Sequence, residues 1–159
     1  MYFTEDYQDR IGYSLSKRPD LYIKNSPIFR TGQVSTPFLM MHNIKDGGVP
    51  WTQAVELFTG LRRLGKKVWM LQYDDGNHGV AGKDALDYTI RLTQFFDHYL
   101  KGAPPPKWMT EGIPARLKGI ETGYELTPNE SCSDSCPVCK KKDYKAYYDE
   151  LLKMSQEKK

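Results

Sequence analysis

The chain has 159 residues, of which 39% are hydrophobic and 13% aromatic, so it has the size and apolar content of one folded domain and is not disordered throughout. Its formal net charge of +3 comes entirely from residues 140–159, which hold seven Lys and four acids. Residues 1–139 carry no net charge, which argues against a nucleic-acid-binding surface. No apolar run is long enough for a membrane-spanning helix.

The first predicted elements are a short helix, a strand and a longer helix. Residues 1–33 are polar and rich in turn-forming residues, and they predict one short helix around residues 19–24, with a proline in its first turn. Pro37–His42 is a short continuous apolar run, which predicts a strand buried on both faces, as in a parallel sheet. Residues 51–64 then space their apolar side chains as a helix does, and Gly65 follows as a natural stop.

A second strand and a second helix follow at similar spacing. Lys67–Tyr73 predicts the strand, and residues 84–101 predict an amphipathic helix that ends at a glycine. Strand, helix, strand, helix in this order predicts an α/β fold with a parallel sheet, right-handed crossovers and flanking helices. Residues 102–139 are rich in Pro and Gly and indicate an irregular extension, whereas residues 140–159 have the apolar spacing of an amphipathic helix.

Side chains suited to catalysis lie in the two loops that follow the predicted strands. Active sites of parallel sheets gather beyond the carboxyl ends of the strands. The first loop contains Asp46 and the second contains His78, which is the chain order of the acid and the general base in α/β-hydrolases. An Asp in a Gly-rich loop is also a common turn. The ordered pair nevertheless favours catalysis, in which the carboxylate orients the imidazole and the imidazole takes a proton from a nucleophile.

Several segments resemble, in the same order, the C-terminal part of the prolyl oligopeptidase-type (dipeptidyl peptidase-like) serine peptidases. Thr36–His42 followed by Asp46–Trp51 is similar to that family's Pro-led strand, its His, and its Asp three residues before a Val-Pro pair. Tyr73–Gly79 resembles the loop of its final His, and Phe95–Gly102 resembles its closing helix. The resemblance covers roughly residues 5–115. It implies that the chain holds the C-terminal part of an α/β-hydrolase parallel sheet with flanking helices.

Carried over residue by residue, the resemblance implies that Asp46 is the triad acid and His78 the triad base, with no cofactor and no metal. It supplies no nucleophile, because the family's Ser lies upstream in a Gly-x-Ser-x-Gly elbow. The nearest imitation, Gly12–Ser16, ends in Ser and follows no apolar strand. We therefore expect the C-terminal catalytic-domain fragment of a serine peptidase that hydrolyses peptide bonds, inactive in isolation and prone to self-association through its open sheet.

The alternative function is a non-catalytic α/β module, either a pseudoenzyme or an assembly piece that associates with a partner through the open sheet. Two positions also depart from the family pattern. Asn43 replaces the common Gly after His42, and Gly48 stands where dipeptidyl-peptidase-like relatives have a substrate-contacting Asn, so no substrate preference is implied. We expect His42 to be a hydrogen-bonded structural residue and His98 to suit the negative end of its helix.

These features divide the chain into a partial peptidase domain, residues 1–115, and an irregular Cys-containing and Lys-rich tail, residues 116–159. All three cysteines, Cys132, Cys136 and Cys139, lie in the tail. We favour unpaired surface thiols; a zinc site completed by an Asp or a second copy and a redox dithiol are the alternatives. The first residues have neither the basic nor the apolar region of a signal peptide. The compartment therefore stays unassigned, since family members are both exported and cytoplasmic.

Overall fold

A computed structural model of the chain describes residues 5–6, 10–127, 146, 150 and 153. The three cysteines and most of the helix expected over residues 140–159 lie outside this part. Within it, no helix combines the length and the apolar character that crossing a membrane requires.

The regular elements follow the predicted order. They are α1 Pro19–Asn25, β1 Phe38–Asn43, α2 Trp51–Arg63, β2 Val68–Tyr73, α3 Gly82–Lys101 and α4 Lys107–Thr110, with 3₁₀ helices at Pro27–Gln33 and Ala115–Leu117. Sequence patterning did not predict α4 or either 3₁₀ helix. Each is too short to show an apolar period, and each begins at a proline or directly after one, where the fixed proline backbone favours a first turn.

The two strands pair directly in a parallel sheet. The amide of Phe38 donates to the carbonyl of Lys67 at 2.9 Å, and the amide of Ile44 donates to the carbonyl of Tyr73 at 3.0 Å. The same chain offset at both ends means that the strands run in one direction and in constant register. This confirms the α/β class and brings the carboxyl ends of β1 and β2 side by side. Both strands are largely half-buried, so the prediction that Pro37–His42 is buried on both faces is wrong. Burial on both faces requires helices over both sides of the sheet, and the described elements leave part of each strand accessible.

The described residues form two compact units. The first comprises Met1–Phe38 and Pro50–Val68, and in it α2 packs on the 3₁₀ helix Pro27–Gln33. Gly60 permits this approach, because a Cβ there would lie only 3.3 Å from Cδ1 of Ile28. The ammonium group of Lys66 donates to the carbonyl of Gly32 at 2.9 Å.

The second unit comprises Leu39–Val49 and Trp69–Lys159 and contains both loops of interest. Its core consists of five buried residues from α3, α4 and the segment after them: Ile90, Phe95, Trp108, Met109 and Tyr124. The backbone after α3 is tied in by bonds from the amide of Lys107 to the carbonyl of Glu125 at 2.8 Å and from that of Trp108 to Gly123 at 3.0 Å. The packed core therefore continues beyond residue 115, where the sequence predicts the end of the domain.

A polar cluster around Asp87 fastens this segment to α3 and to the end of β2. The carboxylate accepts hydrogen bonds from the hydroxyl of Tyr73 at 2.6 Å, from Nε of Arg91 at 2.8 Å and from the hydroxyl of Tyr124. Arg91 also donates to the carbonyl of Thr122 at 3.0 Å. Burial works to raise the pKa of Asp87, but Arg91 and the two hydroxyls outweigh it and hold that pKa below its ordinary value. Burial also raises the pKa of Tyr73 far above its usual range, so its hydroxyl stays a donor.

Candidate active site

Asp46 lies in the loop after β1, and its side chain is only 7% exposed. Oδ1 accepts hydrogen bonds from the backbone amides of Gly48 at 2.8 Å and Val49 at 2.9 Å, which is the side-chain-to-backbone pattern that makes Asp favourable in turns. The Val49 amide and the His78 ring lower the pKa of Asp46 to about 2, against the opposing effect of desolvation. Asp46 is therefore a fixed carboxylate at neutral pH.

The imidazole of His78 meets this carboxylate from the loop after β2. Nδ1 lies 3.0 Å from Oδ2 and 3.2 Å from Oδ1 of Asp46, so the contact predicted between the two residues is present. An ionised carboxylate is an acceptor only, which assigns the proton of the neutral ring to Nδ1 and leaves a lone pair on Nε2. The His78 side chain is 72% exposed, so this basic nitrogen belongs to a ring that solvent reaches.

The remaining histidines have structural contacts. Nε2 of His42 donates to the carbonyl of Val49 at 3.0 Å and lies 3.7 Å from Oδ2 of Asp46. This confirms the expected hydrogen-bonded structural role of His42. The bond to Val49 joins the two ends of the loop that carries Asp46. Nδ1 of His98 donates to the carbonyl of Ala103 at 2.7 Å, at the end of α3.

Two asparagines that the sequence analysis did not identify as site residues connect the loops. Asn43, the last residue of β1, is 2% exposed and donates through Nδ2 to the carbonyls of Asn77 at 2.7 Å and Gly79 at 3.1 Å. In return, Oδ1 of Asn77 accepts from the amide of Gly47 at 2.9 Å. Short amide side chains at strand ends often bond to backbone groups, so the sequence could have indicated hydrogen bonds of this kind. It could not indicate which loop each asparagine contacts, because that depends on the pairing of the strands.

Gly48 lies directly beside Asp46 and His78. A Cβ at this position would lie 3.4 Å from Oδ1 of Asp46 and 3.5 Å from Nδ1 of His78, which are ordinary van der Waals distances. Residue 48 is therefore in contact with both side chains, but space alone does not require a glycine there. Lys45 and Asp75 form a second link between the loops at 3.0 Å, but both are exposed and such a pair contributes little.

The segment Gly12–Ser16 does not form a nucleophile elbow. Residues 15–17 are a turn ahead of α1, and in the described residues no strand precedes it. Oγ of Ser14 and Oγ of Ser16 lie 3.1 Å apart and hydrogen-bond to each other. A strand-to-helix turn, which a catalytic serine of this type needs, is therefore missing from this segment.

Comparison with known proteins finds similarity to peptidases. Residues 1–103 match the prolyl oligopeptidase family model. The uncharacterized peptidase YuxL of Bacillus subtilis (strain 168) is 26% identical over 103 residues, which are 62% of this chain and 15% of that protein.

Two solved structures share the fold. An acylaminoacyl peptidase of Pyrococcus horikoshii superposes with a TM-score of 0.55 at 23% identity, over 70% of this chain and 18% of its own. An acylaminoacyl peptidase in complex with Z-Gly-Gly-Phe-chloromethyl ketone gives a TM-score of 0.50 at 25% identity, over 60% and 16%. The chain thus spans less than a fifth of each of these three relatives. Since the family model matches 103 of its 159 residues, this chain belongs to the prolyl oligopeptidase family.

Proposed function

We propose that this chain provides the acid, Asp46, and the general base, His78, of the Ser–His–Asp triad of a serine peptidase, and that the nucleophilic serine comes from sequence outside residues 1–159. The observation that carries the proposal is the contact of 3.0 Å between Nδ1 of His78 and Oδ2 of Asp46. Family membership supports the reaction class, since the matching model and relatives are peptidases.

The proposed chemistry follows from the orientation of the His78 ring. Asp46 accepts a hydrogen bond from the Nδ1–H group of His78, so the lone pair is on Nε2. Nε2 takes the proton of the serine hydroxyl as the serine oxygen attacks the substrate carbonyl carbon. The resulting imidazolium lies against the Asp46 carboxylate, which is already ionised and stabilises the positive charge. Nε2 then returns the proton to the leaving amine as the C–N bond breaks. Water then attacks the carbonyl carbon of the acyl-enzyme while Nε2 takes its proton. Nε2 returns that proton to the serine oxygen as the acyl C–O bond breaks and the carboxylic acid product leaves, and no step requires a cofactor.

The substrate class we propose is a peptide, bound by the larger enzyme. Solved relatives are named acylaminoacyl peptidases, and one of them is in complex with Z-Gly-Gly-Phe-chloromethyl ketone. The sequence of residues 1–159 contains no Gly-x-Ser-x-Gly. We therefore propose that the chain alone does not hydrolyse peptides at an enzymatic rate, since a triad without its serine retains only residual catalysis.

A fluorophosphonate probe, which labels activated serines covalently, tests this proposal. The DNA directly upstream of the Met1 codon should encode an in-frame Gly-x-Ser-x-Gly, and the protein expressed from that longer frame should be labelled at its serine. The purified chain of 159 residues should remain unlabelled. In the longer protein, His78→Ala and Asp46→Asn should slow labelling and peptide hydrolysis by about four orders of magnitude or more.

His98→Ala is the matched control, because His98 bonds to the carbonyl of Ala103 just after α3 and contacts the ring of Tyr99, and it should leave labelling unchanged. A labelling rate that does not respond to His78→Ala would refute the assignment of the base. Absence of an upstream elbow would instead favour the non-catalytic module, and labelling of the isolated chain at Ser14 or Ser16 would overturn the proposed inactivity.

A further inference from the structure

Beneath the acid–base pair, one buried amide connects the end of β1 to both sides of His78. Asn43 is 2% exposed, and its Nδ2 group donates to the carbonyls of Asn77 at 2.7 Å and Gly79 at 3.1 Å. These two carbonyls belong to the residues directly before and after His78. Because the chain is held on both sides of His78, the direction of the His78 Cα–Cβ bond is restricted.

We propose that Asn43 is a positioning residue that sets the direction of the His78 imidazole toward Asp46. The inference rests on the proposed function of His78 and adds to it the group that orients the base from the backbone side. Asn43 is suited to this because it is the last residue of β1, which pairs with β2. The His78 side chain is thus held through Nδ1 by Asp46, and the residues on either side of it are held by Asn43.

The oxygen of the same amide shows that this side chain serves as a donor. Among the described residues, Oδ1 of Asn43 is buried with no hydrogen-bond partner. A buried acceptor without a partner is unfavourable, so a residue kept only for packing would be better apolar. Both hydrogens of Nδ2, in contrast, meet carbonyls at good distances.

The absence of a side chain at Gly76 leaves room for the Asn43 amide. A Cβ at residue 76 would lie 2.5 Å from Nδ2, 2.6 Å from Cγ and 2.7 Å from Oδ1 of Asn43, closer than real Cβ contacts. The backbone of Gly76 has no left-handed φ, so glycine is needed there for space alone. The loop that carries His78 is therefore built around the Asn43 side chain.

Nuclear magnetic resonance of the purified chain tests the positioning role without any need for hydrolysis. In the wild-type chain, the Nδ1 proton of His78, held against a carboxylate, should give a separate low-field signal. Asn43→Ala removes both donors, and Gly76→Ala displaces the amide without removing it. Both should weaken or abolish this signal. The matched control Ile90→Val shortens a fully buried core residue and should keep the signal.

A low-field signal that is unchanged in folded Asn43→Ala and Gly76→Ala would overturn the proposal. Loss of the signal in Ile90→Val as well would also overturn it, because the effect would then reflect a general loss of stability. If Asn43→Ala does not fold, Gly76→Ala decides by the same criteria.

A second readout separates this inference from the proposed function. The side-chain amide protons of Asn43 should exchange with solvent much more slowly than those of Asn25, whose Nδ2 donates to the carbonyl of Leu21 at an exposed site. Slow exchange at Asn43 without a low-field His78 signal would count against the acid–base pair and so against the proposed function. Exchange as fast as that of Asn25 would overturn the role of Asn43 while leaving the pair intact.

Discussion

Replacing the carboxylate of Asp87 should destabilise the second unit more than any loss of a surface charge. Asp87 accepts three hydrogen bonds, from Tyr73, Tyr124 and Arg91, and its side chain is 22% exposed. In Asp87→Asn the remaining oxygen can keep the bonds from Tyr73 and Arg91, while the new amide turns Tyr124 into an acceptor. All three bonds survive but lose the charge of the acceptor.

The size of the effect follows from that change in bond type. Hydrogen bonds to charged groups contribute about 1.5–3 kcal/mol, whereas neutral bonds contribute about 0.5–1.5 kcal/mol. Three bonds, discounted for partial exposure, give an expected loss of about 2 kcal/mol in the free energy of unfolding for Asp87→Asn. Asp87→Ala removes the bonds and leaves Arg91 unpaired by a carboxylate, so we expect about 3–5 kcal/mol.

Urea denaturation monitored by tryptophan fluorescence measures both values. Asp20→Asn is the matched control, because it breaks an exposed pair with Arg18 at 2.7 Å and should cost far less stability, since exposed ion pairs contribute little. The pKa of Asp87 is lowered in the folded state, so its stabilisation is present above the unfolded pKa. The difference between wild type and Asp87→Asn should therefore shrink as the pH falls below about 3.8 toward the lower folded pKa. A loss for Asp87→Asn no larger than that for Asp20→Asn would refute the role of the cluster.

Three further outcomes are expected. Gly112→Ala should cost about 1–2 kcal/mol for its left-handed backbone. Gly123→Ala should cost about 1–3 kcal/mol more, because its Cβ would also lie 3.2 Å from the backbone nitrogen of Trp108, which cannot move as readily as Cδ1 of Ile113 at 2.6 Å. Chemical denaturation measures both, and equal costs would contradict the packing. Carboxyl ¹³C titration should give Asp46 a pKa of about 2, because the Val49 amide and His78 favour its ionised form. The stability that these contacts contribute should therefore be lost as the pH falls from 3.8 to about 2. A titration midpoint near 4 would disprove the contacts. Sedimentation equilibrium should show self-association of the isolated chain, since its sheet edges invite pairing, and a monomer at high concentration would argue against it.

The order and type of the longer elements could be predicted because each carries its own periodic signal. Residues 51–64 have apolar residues at helical spacing and precede Gly65, and Pro37–His42 is a short apolar run of strand length. Those patterns were sufficient to place Asp46 and His78 in the loops after two successive predicted strands. The direct pairing of these strands, which brings their carboxyl ends and the two loops together, is seen only in the structure.

The supporting interactions could not be predicted because they depend on contacts distant in the chain. Nothing near Asn43 indicates that its amide reaches residues 77 and 79, and nothing near Tyr124 indicates that it returns to the core beside Ile90 and Phe95. Irregular segments rich in Pro and Gly have no period from which burial can be deduced. For that reason residues 116–127 were expected to belong to a tail, although Tyr124 is a core residue.

The position of Asp46 and His78 in loops that follow two directly paired strands determines when the His78 ring becomes ordered. Asp46 and His78 are 32 residues apart in the chain, and their contact is made entirely within the second unit. The conformational entropy of fixing the His78 ring is therefore lost when this unit folds, and not when another group binds beside the ring. Under the proposed function, a serine hydroxyl would meet an imidazole whose tautomer Asp46 has already set, so the reaction would not be slowed by the entropy of orienting that ring.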